Sequence, residues 1–282
     1  MPFKDVLVHV DHNPDSQGRL RLACEIARSH AAHLIGLYCI EPLPILAYSP
    51  WGDPGYTDFA ATQQIKEQYQ AATFGAMAQA KTAFRAETDR VGIMAEWRVG
   101  EGALDATLIQ QARCVDLTVV GQTNAGRVPI GRGLPEEVVL ASGRPTLIVP
   151  ALGQFDTVGR RVLVAWNASR EAARAVGDAL PLLSSAQAVT VLSIGSKDLI
   201  EREHRSADIV AHLARHGVNA VAAASTAQDI DVGEVLLSHA ANHSADLIVM
   251  GAYGHSRSRE WLLGGATRQL LRSMTVPVLM AH

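Results

Sequence analysis

The chain has 282 residues, 48% apolar and 19% charged, with a net charge of −3, the profile of an ordinary globular protein with material for one or two cores. Net charge is −3 over residues 1–150 (13 basic, 16 acidic) and zero over 151–282 (12 of each), so neither half has the basic surface that nucleic-acid binding needs. Cys24, Cys39 and Cys114 lack CxxC spacing, no apolar run approaches 18 residues and the opening MPFKDVLVHV lacks a signal-peptide core. These features argue against a disulfide framework and a membrane span, and the expectation is a soluble cytoplasmic protein whose cysteines are buried small side chains.

In chain order, short Val/Ile/Leu runs at 6–10, 34–40, 116–120 and 146–149 predict strands buried on both faces. After the second run comes a segment rich in Pro, Gly and aromatics (41–70), expected to be a loop leading into a long helix that ends near residue 91. A Gly-containing linker, ALGQFDTVGR (151–160), precedes a second series of runs at 162–166, 189–194, 246–250 and 276–280. Between these lie amphipathic stretches. SREAARAVGDALPLLSS has Ser169 as N-cap and Glu171 in its first turn, and VGEVLLSHAANHSA carries Val232, Val235, Leu236 and Ala240 at helical spacing.

The second series repeats the first. KDVLVHVDHN (4–13) parallels RRVLVAWNAS (160–169), VDLTVVGQ (115–122) matches ADLIVMGA (245–252), and GRPTLIVP (143–150) matches TVPVLMAH (275–282). The alternation of strands with helices predicts an α/β chain of two doubly wound parallel sheets, five strands and four helices each, over 1–150 and 151–282. The closing runs of each half are apolar strands that demand a partner at a sheet edge.

Ligands in such sheets bind beyond the carboxyl ends of the strands. Just past the fourth run of the second half stands GAYGHSRSREWLLGGATRQLL (251–271): Gly251, Gly254, Gly264 and Gly265, then a helix whose first turn offers N–H groups to an anion. It is neither a Walker loop nor GxGxxG. The first half has GQTNAGRVPIGRGLPEE (121–137) here, with Asn124 for the second glycine, shorter spacing, and Glu136 and Glu137 at the helix start, where they would repel phosphate.

With these motifs the chain resembles a tandem universal stress protein of the UspA type over nearly its whole length. Nucleotide-binding members carry G-x2-G-x9-G-(S/T) after the fourth strand. Residues 251–265 match all but the last position, where Gly265 replaces the hydroxyl residue and Thr267 follows. The family also has an Asp near base and ribose at the end of the first strand, matched by Asn167 in the second half and Asp11 in the first. The resemblance implies an adenine-nucleotide site in the second half, with Ala165 and Asn167 flanking the base and Ile194 lining the adenine pocket. Met250, Gly251, Gly254, Gly264, Gly265 and Ala266 would surround the phosphates, with ATP as ligand and Mg²⁺ if a triphosphate binds. It also implies that the final strands of the two halves pair as an internal pseudo-dimer, and it is compatible with a homodimer of two chains.

Other candidates are weaker. His9/His12, His30/His33 and His239/His243 lack the Glu or Cys that would complete a metal set. His255, Arg257 and Arg259 lie in the glycine loop, and Glu201/Glu203 in a charged stretch. Ser169 and Ser256 lack the setting of a hydrolase nucleophile, so no catalytic residue is assigned and weak ATP hydrolysis is the most the resemblance implies. Two readings compete with nucleotide sensing in stress response. One is a scaffold for protein–protein contacts with 41–70 as its arm; the other is a small-molecule or lipid binder using Tyr48, Trp51, Tyr56 and Phe59 of that insert.

Overall fold

The computed structural model of the chain describes residues 2–13, 15–43, 59–123, 133–195, 199–225, 231–252 and 265–282. The first half runs β1 (Asp5–His9), α1 (Ser16–His30), β2 (His33–Ile40), α2 (Phe59–Val91), β3 (Ala95–Glu101), α3 (Leu104–Ala112), β4 (Leu117–Gly121), α4 (Leu134–Ser142) and β5 (Thr146–Val149). The second repeats the order: β6 (Arg161–Ala165), α5 (Arg170–Leu183), β7 (Ala188–Ile194), α6 (Leu199–Arg215), β8 (Ala220–Ser225), α7 (Val232–Asn242), β9 (Leu247–Gly251), α8 (Gly265–Ser273) and β10 (Val278–Ala281).

The strands form one sheet in the order β3-β2-β1-β4-β5-β10-β9-β6-β7-β8. Every pairing is parallel except one. β5 and β10 run antiparallel, with Ile148 opposite Val278, Leu147 opposite Leu279 and Thr146 opposite Met280. All six of these residues are fully buried, so two apolar edges that would otherwise invite other strands cover each other.

Because the strand order steps outward from β1 and then reverses, the helices divide between the faces. One core layer takes Leu22 and Ile26 of α1, Phe84 of α2, Val176 and Leu183 of α5 and Leu213 of α6. The opposite layer takes Leu108 of α3, Val138 of α4, Leu236 of α7 and Leu270 of α8. In α5 the buried stripe Ala172, Ala175, Val176, Ala179, Leu182 and Leu183 recurs at three- and four-residue steps, and Ser169 Oγ caps the start by accepting from the Ala172 amide at 3.1 Å. α7 differs from its sequence reading in one place: Val235, Leu236 and Ala240 are buried, but Val232 is exposed, because it is the first helical residue and lies beyond the core.

The repeated Val/Ala-Asp-Leu motif is a structural clamp. Asp116 Oδ2 accepts from the backbone amides of Lys4 and Asp5 at 2.7 and 3.2 Å. Asp246 accepts from three amides, those of Gly159, Arg160 and Arg161, at 3.2, 3.0 and 2.9 Å. Each carboxylate thus holds the incoming first strand of its half against the fourth. A second tie crosses between halves: Gln122 Nε2 donates to the carbonyls of Leu271 and Arg272 at 2.7 and 3.1 Å, satisfying the end of α8 from the first half.

Counting the amides predicts unequal costs. Asp246→Ala should lower the unfolding free energy by about 2–3 kcal/mol and Asp116→Ala by roughly a third less, at about 1 kcal/mol for each hydrogen bond lost. Chemical denaturation of the two variants measures this; equal losses would show that the amide count does not set the clamp's strength.

Candidate functional site

The two halves superimpose through strand register. His9 faces Leu37 as Ala165 faces Leu192, and Val8 faces Val119 as Val164 faces Val249. His9 therefore corresponds to Ala165, Asp11 to Asn167, Cys39 to Ile194, Val120 to Met250 and Gly121 to Gly251. The strand order reverses between β1 and β4 in one half and between β6 and β9 in the other, which makes the carboxyl ends of these pairs the two candidate crevices.

In the second-half crevice Ala165 and Met250 are register partners at the ends of β6 and β9, and Gly251 follows at once. Ile194 ends β7 two residues beyond the Ala165 partner Leu192. Asn167 is exposed and forms a tight turn, its Oδ1 accepting from the Ser169 amide at 3.1 Å while Ala168 takes a left-handed φ of 59°. Gly265 and Ala266 open α8. Gly254 and Gly264 lie outside the described residues, as do His255, Arg257, Arg259 and Ser256.

Gly251 has a packing role that its sequence setting did not announce. A Cβ there would overlap the backbone nitrogen of Ala172 and the backbone of Glu171, so the first turn of α5 sits directly on the glycine. Glu171 is buried beneath this contact; burial would raise its pKa, but bonds from Arg170 and the local backbone and hydroxyl donors outweigh that and hold it below the ordinary range. Trp166, beside Ala165, has a buried indole Nε1 without a hydrogen-bond partner among the described residues.

The first-half crevice is filled differently. A Cβ on Gly121 would overlap Nη1 of Arg19, a side chain only 5% exposed. The guanidinium donates from Nε to the His9 carbonyl at 2.7 Å, and from Nη2 to Asp11 Oδ2 and Ser16 Oγ, both at 3.2 Å. Asp11 Oδ1 accepts from the Asn13 amide at 2.9 Å, the same turn that Asn167 makes. Burial would raise the Asp11 pKa, yet Arg19, His9 and the Asn13 amide together hold it below its ordinary value. His9, buried and beside the Arg19 charge, is pushed down to about 4 although Asp11 opposes the shift. The second half has no such plug among the described residues: Arg170 pairs with Glu171 and Arg174 with Asp178.

A cavity of about 330 Å³ adjoins Asp11, between α1 and α2, lined by Asp11, Asn13, Ser16, Gln17 and Gln79 over Leu20 and Ala80. In the insert, Tyr48, Trp51 and Tyr56 lie outside the described residues. His239 of α7 and His243 just past its end stack at 6.0 Å, and the described residues contain no group of three or more metal-ligating side chains. Cys24 is buried and Cys39 half-buried, their thiols pushed up to about 12 by burial, whereas Cys114 is exposed against expectation because it follows α3 at the surface. No helix among the described residues is long and apolar enough to cross a membrane.

The buried His9 predicts an acid-sensitive fold. Its folded pKa lies below the 6.5 of the unfolded chain, so between pH 6.5 and 4 the unfolded state binds a proton that the native state refuses. The His9 contribution should be constant above pH 7 and fall by on the order of 3 kcal/mol across that window. Asp11, whose pKa is lowered from an already acidic value, adds its loss only below it. Urea midpoints against pH check this: His30 and His239, also lowered by burial, add to the slope, so His9→Gln should reduce it, and an unchanged slope would remove His9 as a source.

The model of the universal stress protein family matches this chain twice, at residues 2–150 and 159–282. A stretch of 46 residues is 41% identical to Universal stress protein Slr1230 of Synechocystis sp., covering 16% of this chain and 16% of that relative. Among solved structures, a universal stress protein from Archaeoglobus fulgidus aligns over 98% of this chain and 95% of its own length with a TM-score of 0.74 at 17% identity. A putative universal stress protein from Pseudomonas aeruginosa aligns over 99% and 93% with a TM-score of 0.58 at 15% identity. At those identities the structures speak for the fold alone. The two family matches, the repeated register and the shared architecture together establish that the chain belongs to the universal stress protein family, with two of its domains in tandem.

Proposed function

We propose that the chain is an adenine-nucleotide-binding module of stress response whose site lies in the second half, at the carboxyl ends of β6 and β9. The observation that carries this reading is the difference between the crevices. At equivalent positions the first half has His9, Asp11 and the buried Arg19 guanidinium, and the second has Ala165, an exposed Asn167 and, among the described residues, no buried arginine. Ala165, Ile194 and Met250 offer small and apolar surface for a base, and Asn167 keeps a side-chain amide beside it. The phosphates would lie against Gly251, Gly254, Gly264, Gly265 and Ala266, where the start of α8 supplies N–H groups and a positive dipole end.

The residues fit such a ligand incompletely. Gly265 supplies no hydroxyl, a loss of roughly 1.5–3 kcal/mol if the missing bond is charge-assisted, and ATP with Mg²⁺ is therefore expected to bind weakly. Titration calorimetry with Mg·ATP should give about one site per chain, and Gly254→Val should abolish the heat. No heat at millimolar ATP would overturn the reading, and so would full binding by Gly254→Val.

A second reading rests on the cavity between α1 and α2. Carboxamides of Asn13, Gln17 and Gln79 and the Ser16 hydroxyl surround an apolar floor, a lining suited to a small polar molecule. Ligand-detected NMR with a panel of small polar fragments should find hits that Ala80→Trp, which fills the floor, removes. Hits that survive this substitution would place them elsewhere.

A further inference from the structure

The ten-stranded sheet ends in β3 on one side and β8 on the other, and the two edges are built differently. β3 reads AEWRVGE. Its Glu96 pairs with Arg98 and lies 3.3 Å from His33, and Arg98 donates to Gln111 at 2.8 Å. Charges along an edge oppose the docking of another strand. β8 reads AVAAAS, with no charge and no proline. It pairs with β7 over six register positions, from Ala220 to Ser225, and no strand pairs with its other side among the described residues. Val221 is 59% exposed, and Ala222 and Ala224 are exposed beside it. Over Ala220–Ala224, small side chains leave the outer row of the strand without a partner strand among the described residues.

We propose that β8 is a self-association edge, at which the β8 strands of two copies of this chain pair antiparallel about a two-fold axis and two ten-stranded sheets continue as one. The edge favours a second copy as its occupant. Antiparallel pairing of identical strands is self-complementary, and here it sets small uncharged residues against one another, so no charge is buried. The chain already joins its own halves in this manner through β5 and β10 with three register pairs, and β8 offers a longer strand. The same pairing of two β3 edges would bring Glu96, Arg98 and Glu101 of both copies together.

Sedimentation velocity of the full chain over a micromolar to near-millimolar series should show monomer passing to dimer. Val221→Lys and Ala222→Lys, both at exposed positions, should raise the dissociation constant at least tenfold while leaving the thermal midpoint unchanged. The matching control Val99→Lys on β3 should leave it unaltered. Hydrogen exchange at Val221–Ala224 should slow in the concentrated wild-type sample relative to the dilute one. A wild-type chain that stays monomeric throughout the series overturns the proposal. So does a dimer that survives both lysine substitutions, or β8 amides that exchange equally fast at both concentrations, which would put another surface or another partner in place of the second copy.

Discussion

The antiparallel contact of β5 with β10 organises the molecule. Each half on its own would end in a short, fully buried strand with an unpaired backbone edge, and Thr146–Ile148 and Val278–Met280 remove both edges at once. The consequences run outward from this line. Gln122, one residue past β4, reaches the last carbonyls of α8, so the helix whose start belongs to the second crevice has its far end fastened to the first half. Among the described residues, β3 and β8 are then the outer edges of the sheet.

The halves share a chemical frame and diverge within it. Both use a carboxylate to gather the amides of the incoming strand, Asp116 in one and Asp246 in the other. Both form a side-chain turn after the first strand, through Asp11 and Asn167. They part at the space beyond. In the first half α1 stands off and the Arg19 guanidinium fills the gap over Gly121, compensated by Asp11 and the His9 carbonyl. In the second half α5 approaches until its backbone touches Gly251. A buried arginine demands a carboxylate partner and a neutral histidine nearby, which accounts for Asp11 and His9 beside Arg19 in the first half.

Much of this was legible in the sequence. The repeat, the alternation of elements, the long helix ending at Val91 and the Ser169 cap follow from period, caps and turn residues, which act locally. What escaped is non-local. Nothing in the spacing of Arg19 shows that it lies over Gly121, about a hundred residues away, and Asp116 and Asp246 read as the first residues of strand runs until the amides facing them are known. Gly251 was legible as a glycine that a ligand or a chain could approach closely; the approach of α5 gives it a packing role that is independent of any ligand. Gly254 and Gly264, the other half of the motif, fall outside the described residues.

Photoaffinity labelling with an azidoadenine analogue of ATP, followed by peptide mapping, tests the central claim most directly. If the second crevice holds the base, label should appear on peptides that contain Ala165–Asn167, Ile194 or Met250, and excess ATP should suppress it. Label on peptides containing His9–Asn13, or none that ATP competes away, would contradict the account.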